Sequence, residues 1–257
     1  MKEVILLLLS LEYKSNVIKM IKKIIRDTLN VLHLDLTKNL KYDRLTKIIL
    51  KRELKPNSNC IDIGCHKGEI LEMMLRYSEN GSHFCFEPLP YLYKKLVNKN
   101  YNATIHNYAL SDKNGKSTFQ FVKNAPAYSG LKRRSYDVKN PIIEEIDIEL
   151  KRLDDVIPKG LNIDFIKIDV EGAEYEVLKG GVNLLKTNKP TIIFEFGKGA
   201  SDYYGTTSTD IYNFLCEEIE LKIYSLSEYI NGGNHYSLEE FEKCYNTGSD
   251  YYFIASS

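Results

Sequence analysis

The chain predicts a Rossmann-like α/β fold: a doubly wound, mostly parallel, seven-stranded sheet with an N-terminal helical extension. Three observations predict it. From residue 60 onward, short apolar runs alternate with stretches of helical periodicity, the pattern of βαβ units. The first run ends in a glycine loop, Asp62-Ile63-Gly64-Cys65-His66-Lys67-Gly68-Glu69, which opens a helix. The next run ends in an acid, Glu87, followed by Pro88. Strand, glycine loop, helix, strand and acid is how such a sheet holds a nucleoside at its carboxyl edge.

The elements follow in order. Val4 to Leu9 is an unbroken apolar run, far shorter than the ~20 residues of a spanning helix. Glu3 and the lack of an A-x-A-like site oppose a signal peptide, so a cytoplasmic protein with no transmembrane segment is expected. Met20 offers a second candidate start. Residues 16–54 read as helical, with Val17, Ile21, Ile24, Ile25, Leu29 and Leu32 at three- and four-residue steps. A break at Asp35 or Thr37 precedes a second periodic stretch with Leu45, Ile48, Ile49 and Leu50. The basic face of Lys19, Lys22, Lys23 and Arg26 reads first as solvated, with weak contact to an anionic membrane surface as the alternative. Residues 1–54 thus form the extension, and 55–257 the main domain.

After the turn at Pro56-Asn57-Ser58, strands are expected at 60–64, 82–87, 103–108, 164–170, 190–196, 222–226 and 251–255. The last pair makes an antiparallel edge. Helices are expected at 69–77, 91–98, 173–179 and 210–217, with Gly180-Gly181 capping the third. Two further alternating runs, 117–122 and 145–150, read as a hairpin or β-insert around a loop that holds Pro126, Gly130 and Pro141.

Composition sets limits on partners. A chain of 257 residues with 43% hydrophobic content suits one domain plus an extension. Thirty-five basic residues balance thirty-five acidic ones, so no global field draws in nucleic acid, and a small or neutral acceptor fits better. The five cysteines, Cys60, Cys65, Cys85, Cys216 and Cys244, show no C-x-x-C or zinc spacing and are expected to be reduced thiols. Nineteen tyrosines without a tryptophan read as coding bias rather than aromatic recognition.

The glycine loop narrows the ligand. A dinucleotide fingerprint has its second glycine where this chain has His66, and that glycine lets backbone approach a pyrophosphate. No G-K-[ST] follows, which excludes a P-loop. A D-x-G-x-x-x-G loop suits a nucleoside without phosphate, such as S-adenosylmethionine. On this reading Gly64, Cys65 and Gly68 bring backbone to its amino acid part. Asp62 orients the loop or meets the ammonium, and Glu87 accepts hydrogen bonds from the ribose hydroxyls. After the third strand, Leu110, Ser111 and Asp112 are expected against the adenine edge.

A second constellation, Asp169-Val170-Glu171-Gly172-Ala173-Glu174, follows the strongest strand. The carboxyl end of a central strand is where this fold places its chemistry. Asp169 and Glu171, with Glu195 at the end of the next strand, are candidate catalytic acids able to take a proton from a hydroxyl. Glu174 starts the next helix, where an acid complements the dipole.

These residues resemble the FkbM-type S-adenosylmethionine-dependent methyltransferases. The likeness rests on the run from Asp164 to Glu174 with Val177-Leu178-Lys179-Gly180, and on Asp62-Ile63-Gly64, Phe86-Glu87-Pro88, Ala109-Leu110-Ser111-Asp112 and Leu153-Asp154, all in the family's order. It implies a class I methyltransferase that O-methylates a sugar, a glycan or a small hydroxylated metabolite. It places Asp169 beside the methyl donor and leaves Glu171, Glu195 and His66 open as the base. No spacing of ligands suggests a metal, so none is expected. The insert Tyr128-Ser129-Gly130-Leu131-Lys132-Arg133-Arg134 is expected to form part of an acceptor lid, its cations holding an anionic group or simply facing solvent. The competing reading is a catalytically silent module that binds the same cofactor or a partner. Nucleic-acid methylation is opposed by the charge balance and by the lack of an [N/D]-P-P-[Y/F] run, and a dehydrogenase by His66.

Overall fold

The computed structural model describes residues 37–136 and 138–257. The apolar run at Val4 to Leu9 and the basic helix face lie outside the described residues. The chain divides into two compact units, Met1–Ile48 and Ile49–Ser257. The division falls inside helix α1 (Lys38–Glu53), whose last turn carries Lys51 and Arg52 where cations complement the dipole. Thr37, one of the expected break points, accepts a hydrogen bond from Leu40 N at 3.3 Å and so starts this helix. Among the described residues no helix is long and apolar enough to cross a membrane.

The second unit holds a seven-stranded sheet. Its strands are β1 (Cys60–Ile63), β2 (His83–Phe86), β3 (Thr104–His106), β7 (Phe165–Ile168), β8 (Thr191–Glu195), β9 (Lys222–Ser225) and β10 (Tyr252–Ser256). The spatial order is β3-β2-β1-β7-β8-β10-β9. The pairings from β3 to β8 are parallel, and β10 runs antiparallel between β8 and β9. Every residue of β1, β2 and β7 is buried, as strands covered on both faces require. The strand order reverses between β1 and β7, so a crevice opens at their carboxyl ends.

Alternation along the strands assigns the two faces. Ile61, Ile63, Ile166, Ile168, Ile192 and Phe194 pack in one large core. That core includes residues of α5 (Glu174–Gly180), α6 (Val182–Asn188), α7 (Ser208–Tyr212) and α9 (Leu238–Thr247). Asp62, Lys167, Asp169 and Glu195 fall in the opposite register. Asp62 stands beside Lys167, and Glu195 beside Tyr252. On that face Cys65, Leu71, Cys85 and Leu96 form a smaller cluster with α2 (Glu69–Tyr77) and α3 (Pro90–Val97).

A separate three-stranded ribbon follows β3, ordered β4 (Ala109–Leu110), β6 (Ile143–Lys151), β5 (Gly115–Val122). The expected β-insert is the antiparallel β5–β6 pair, in register Phe119↔Ile146. A short helix, α4 (Leu153–Val156), leads back to β7.

Several features depart from expectation. Cys65 and Cys85 are joined as a disulfide with Cα atoms 6.2 Å apart, while Cys60, Cys216 and Cys244 are free. The cause is the parallel register, which sets Cys85 of β2 beside the loop that leaves β1. The expected helix at 210–217 is split: α7 gives way to a π-helical stretch at Asn213–Glu218. Two helices that sequence reading omitted, α8 (Leu226–Asn231) and α9, occupy the C-terminal third.

Candidate active site

The carboxyl ends of β1, β2 and β7 build one cleft. Gly64 N and Cys65 N donate to Phe86 O at 3.0 and 3.2 Å, which ties the glycine loop to β2. The next amide, His66 N, donates to Glu87 Oε2 at 2.8 Å, and Leu89 N donates to Glu87 Oε1 at 2.9 Å. Burial pushes the Glu87 carboxyl up to about 7 against these two N–H donors. His66 has φ +49°, so the position that lacks a glycine still requires the left-handed backbone. Burial first, and Lys67 second, lower the His66 imidazole, which favours its neutral form.

The cleft has a volume of about 150 Å³. Its apolar lining includes Phe86, Leu89, Tyr108, Leu110 and Phe119, together with Glu87. Asp169, Val170 and Glu171 line it as well, as do Pro126, Ala127, Ser129 and Leu131 of the ribbon loop. Of the residues singled out in the sequence, Gly64, His66, Glu87, Leu110, Asp169 and Glu171 line it.

The other candidates lie elsewhere. Asp62 has no exposed surface and faces Lys167, one strand position before the loop. Burial raises it to about 6, with Lys167 opposing. Cys65 is bonded to Cys85 behind the loop. Gly68 caps α2 at φ +81°, and a Cβ there would meet Leu96 Cδ2 at 2.7 Å. The Ser111 backbone packs on Gly180, and the Asp112 carboxylate pairs with Lys179 at 3.1 Å. Glu195 does not line the cleft.

The acidic group is strongly differentiated. Asp169 Oδ2 accepts from Lys167 Nζ at 2.6 Å and from Tyr252 OH at 2.5 Å. Burial alone would raise Asp169, but Lys167 and hydrogen bonds from Glu195, Lys167 and Tyr252 bring it down to about 2. Burial and the Asp169 charge push Glu195 well up, which favours its protonated form beside Asp169. Glu171 stands on a left-handed backbone at φ +61°, and burial with Asp169 raises it to about 8 against Arg134. Its Oε2 is paired with Arg134 Nη2. Glu174 is buried and accepts from Val170 N and Gly172 N, both at 3.1 Å, which pins the turn that presents Glu171.

One oxygen each of Asp169, Glu171 and Glu195 lie within 4.8 Å of one another, a grouping that their spacing in sequence did not reveal. Lys167 and Arg134 already supply positive charge to it. The cations of the ribbon loop do not act as one anion trap. Lys132 Nζ donates to Tyr203 O at 3.2 Å, Arg133 is exposed, and Arg134 turns inward to Glu171. Sequence reading missed Lys167 and Tyr252. Lys167 lies two positions before Asp169 on the same strand face, a signal that period-two alternation carries. Tyr252 arrives from 83 residues away, and no local signal marks it.

The family model for the methyltransferase FkbM domain matches residues 62–220. The chain belongs to the FkbM methyltransferase family. The FkbM match contains every cleft-lining residue named above and stops before Tyr252. The chain is 30% identical over 169 residues to the 2-O-methyltransferase NoeI of Sinorhizobium fredii, across 58% of this chain and 66% of the relative. It is 31% identical over 162 residues to the methyltransferase sdnD of Sordaria araneosa, across 49% and 61%. It therefore spans less than two thirds of either relative's length. Among solved structures it resembles the methyltransferase FkbM of Methylobacillus flagellatus, with TM-score 0.50 and 16% identity, over 79% of this chain and 44% of that one. That likeness is one of fold, the class I methyltransferase sheet.

Proposed function

We propose that the chain is an S-adenosylmethionine-dependent O-methyltransferase acting on a hydroxyl of a sugar, a glycan or a small metabolite. The observation that carries this reading is a single cleft lined by Glu87, by apolar side chains and by Glu171. The residues fit the cofactor. Each Glu87 oxygen accepts one backbone N–H and retains a lone pair for a ribose hydroxyl. Leu89, Tyr108, Leu110 and Phe119 offer apolar walls for a purine. When bound, S-adenosylmethionine would supply an electrophilic methyl group on a sulfonium.

The protein's own part is alignment and proton removal. Asp169, kept ionised by Lys167 and Tyr252, sets a fixed negative charge in the cleft wall. At about 2 it is too weak a base for a hydroxyl. Glu195 is pushed well above its usual range and does not line the cleft. Glu171 alone of the three is both in the cleft and tuned near neutral pH, so it takes the hydroxyl proton as the acceptor oxygen is alkylated. The reaction needs no metal, because charge at the acids is met by Lys167 and Arg134. Activity unchanged by EDTA is the expected result, and loss of activity restored by a divalent cation would remove that part. The resemblance to the 2-O-methyltransferase NoeI supports a hydroxyl oxygen as acceptor. On this reading residues 55–257 form the catalytic domain, residues 1–54 precede it as an extension, and the protein works in the cytoplasm without nucleic acid.

Calorimetry with S-adenosylmethionine, followed by transfer of its labelled methyl group to a panel of methyl glycosides, tests the assignment. Glu87→Ala should weaken binding at least about tenfold, the size of one lost charge-assisted hydrogen bond. Full affinity in that variant would overturn the cofactor site, and binding without any transfer would favour the silent module.

A further inference from the structure

Residues 130–136 leave the ribbon and run over the turn that carries Glu171. At the stem, Gln120 N donates to Gly130 O at 2.8 Å and Gly130 N to Gln120 O at 3.3 Å. Further along, this strap is seated on the 3-10 turn Ser201–Tyr204. Lys132 N donates to Tyr204 OH at 3.1 Å, and Ser135 N donates to Tyr203 OH at 3.1 Å. Between these seats Arg134 turns inward, with its side chain only 9% exposed. Its Nη1 donates to Gly199 O at 3.1 Å and its Nη2 pairs with Glu171 Oε2. The guanidinium lies 5.5 Å from the Tyr128 ring centroid and 5.7 Å from that of Tyr136.

A desolvated guanidinium in this position needs its planar donors directed at fixed acceptors. The carbonyl of Gly199 and one oxygen of Glu171 satisfy that need. The other oxygen, Oε1, makes no hydrogen bond among the described residues, and Glu171 lines the cleft. One carboxylate oxygen is therefore held from outside while its twin is left for the cleft. The same side chain joins the strap to Glu171, so seating the strap and orienting this carboxylate are one event.

We propose that Arg134 is a positioning residue, which the strap delivers to hold the Glu171 carboxylate in line with the acceptor hydroxyl. This rests on Glu171 being the base. It assigns the inward cation a partner within the protein rather than an anion on the substrate. The charged and titratable groups that face Glu171 are Lys167 and Asp169 from β7, Glu174 from α5, Glu195 from β8, Tyr252 from β10 and Arg134 itself. Only Arg134 among them belongs to the strap.

The test uses the full chain and needs no acceptor for its first readout. Carbon-13 side-chain NMR of glutamate-labelled protein, with Glu171→Gln for assignment, gives the Glu171 titration midpoint. Arg134→Met should raise that midpoint by about one pH unit, and Arg134→Lys should restore most of the shift. Tyr203→Phe loosens the strap at an exposed ring and should raise the midpoint in the same direction with the fold intact. Affinity for S-adenosylmethionine should stay within about twofold in all three, because Arg134 is remote from Glu87. With methyl glycosides as acceptors, kcat should fall roughly 10- to 100-fold in Arg134→Met, and its acid limb should move to higher pH. A folded Arg134→Met that keeps the wild-type midpoint, or an unmoved midpoint in Tyr203→Phe, overturns the proposal. Failure of wild-type protein to bind S-adenosylmethionine or to methylate would instead strike the assigned activity, and the NMR result would stand apart from it.

Discussion

At Gly64 the backbone has φ +79°, and a Cβ built there would lie 1.9 Å from the carbonyl oxygen of Asp169. The glycine is therefore required by the approach of two protein loops, not only by a ligand. Gly64→Ala should push the cofactor loop away from the Asp169 turn. The expected cost is about 3 kcal/mol or more, with cofactor binding and transfer lost together, measured by thermal unfolding and calorimetry. Glu171→Gln is the complementary change: kcat should drop roughly 10²- to 10⁴-fold while cofactor affinity holds, and unchanged kcat would exclude Glu171 as base. At this scale the sequence showed which acids stand at strand ends more clearly than what surrounds each one. Glu87 and Asp169 were legible as strand-end acids. Asp62 was not, because the pleat turns it to the face opposite Ile63, toward Lys167. The difference between Asp169 near 2 and Glu195 far above its usual range comes from Lys167 and Tyr252 and from shared proton placement. No single residue's identity encodes that.

The turn before α5 shows how an element presents a side chain. Glu174 has a place at the helix start that suits the dipole, yet its carboxyl also folds back to the amides of Val170 and Gly172. Burial raises it to about 7, against those amides. Glu174→Gln keeps an acceptor oxygen in place and should preserve the turn. Glu174→Ala leaves two amides without their partner and should cost about 2–4 kcal/mol in chemical unfolding, with kcat reduced further because Glu171 loses its platform. Equal stability of the Gln and Ala variants would show that the turn holds itself. The central strands were readable because β1, β2 and β7 are buried on both faces and so run continuously apolar. Helix α9 was readable too, and was passed over. Ser237 and Glu240 form a reciprocal capping box, with Phe241, Cys244 and Tyr245 following at core spacing. The insertion of β10 between β8 and β9 was not readable as an order. It depends on pairings far apart in the chain, such as Tyr252 with Glu195, 57 residues away, which no local pattern expresses.

On the scale of the whole molecule, formal neutrality hides an uneven burial of charge. Asp62, Glu87, Glu171 and Glu174 all have carboxyls raised by burial, to about 6, 7, 8 and 7. A carboxyl raised in the folded state makes folding take up protons, so its stabilisation is full below its unfolded value near 4 and lost as pH rises through the folded value. Asp169 works the other way, but only as pH falls toward about 2. His66, His83 and His106 are lowered by burial, so they favour folding more as pH rises, and they have finished doing so once pH passes about 6.5. Between pH 6.5 and 8.5 only the raised carboxyls still titrate among these groups, and stability should fall. A net loss of about 2 kcal/mol corresponds to roughly 4–8 °C in Tm for a domain of this size. Scanning fluorimetry of ligand-free protein at pH 6.5, 7.5 and 8.5 measures it. Saturating S-adenosylmethionine should flatten the slope, since hydroxyl donors to Glu87 favour its ionised form in the bound protein. A Tm that rises over this range without ligand would mean that the buried acids are ionised already. Glu171 would then enter catalysis as a carboxylate at every working pH, rather than as a group poised to switch.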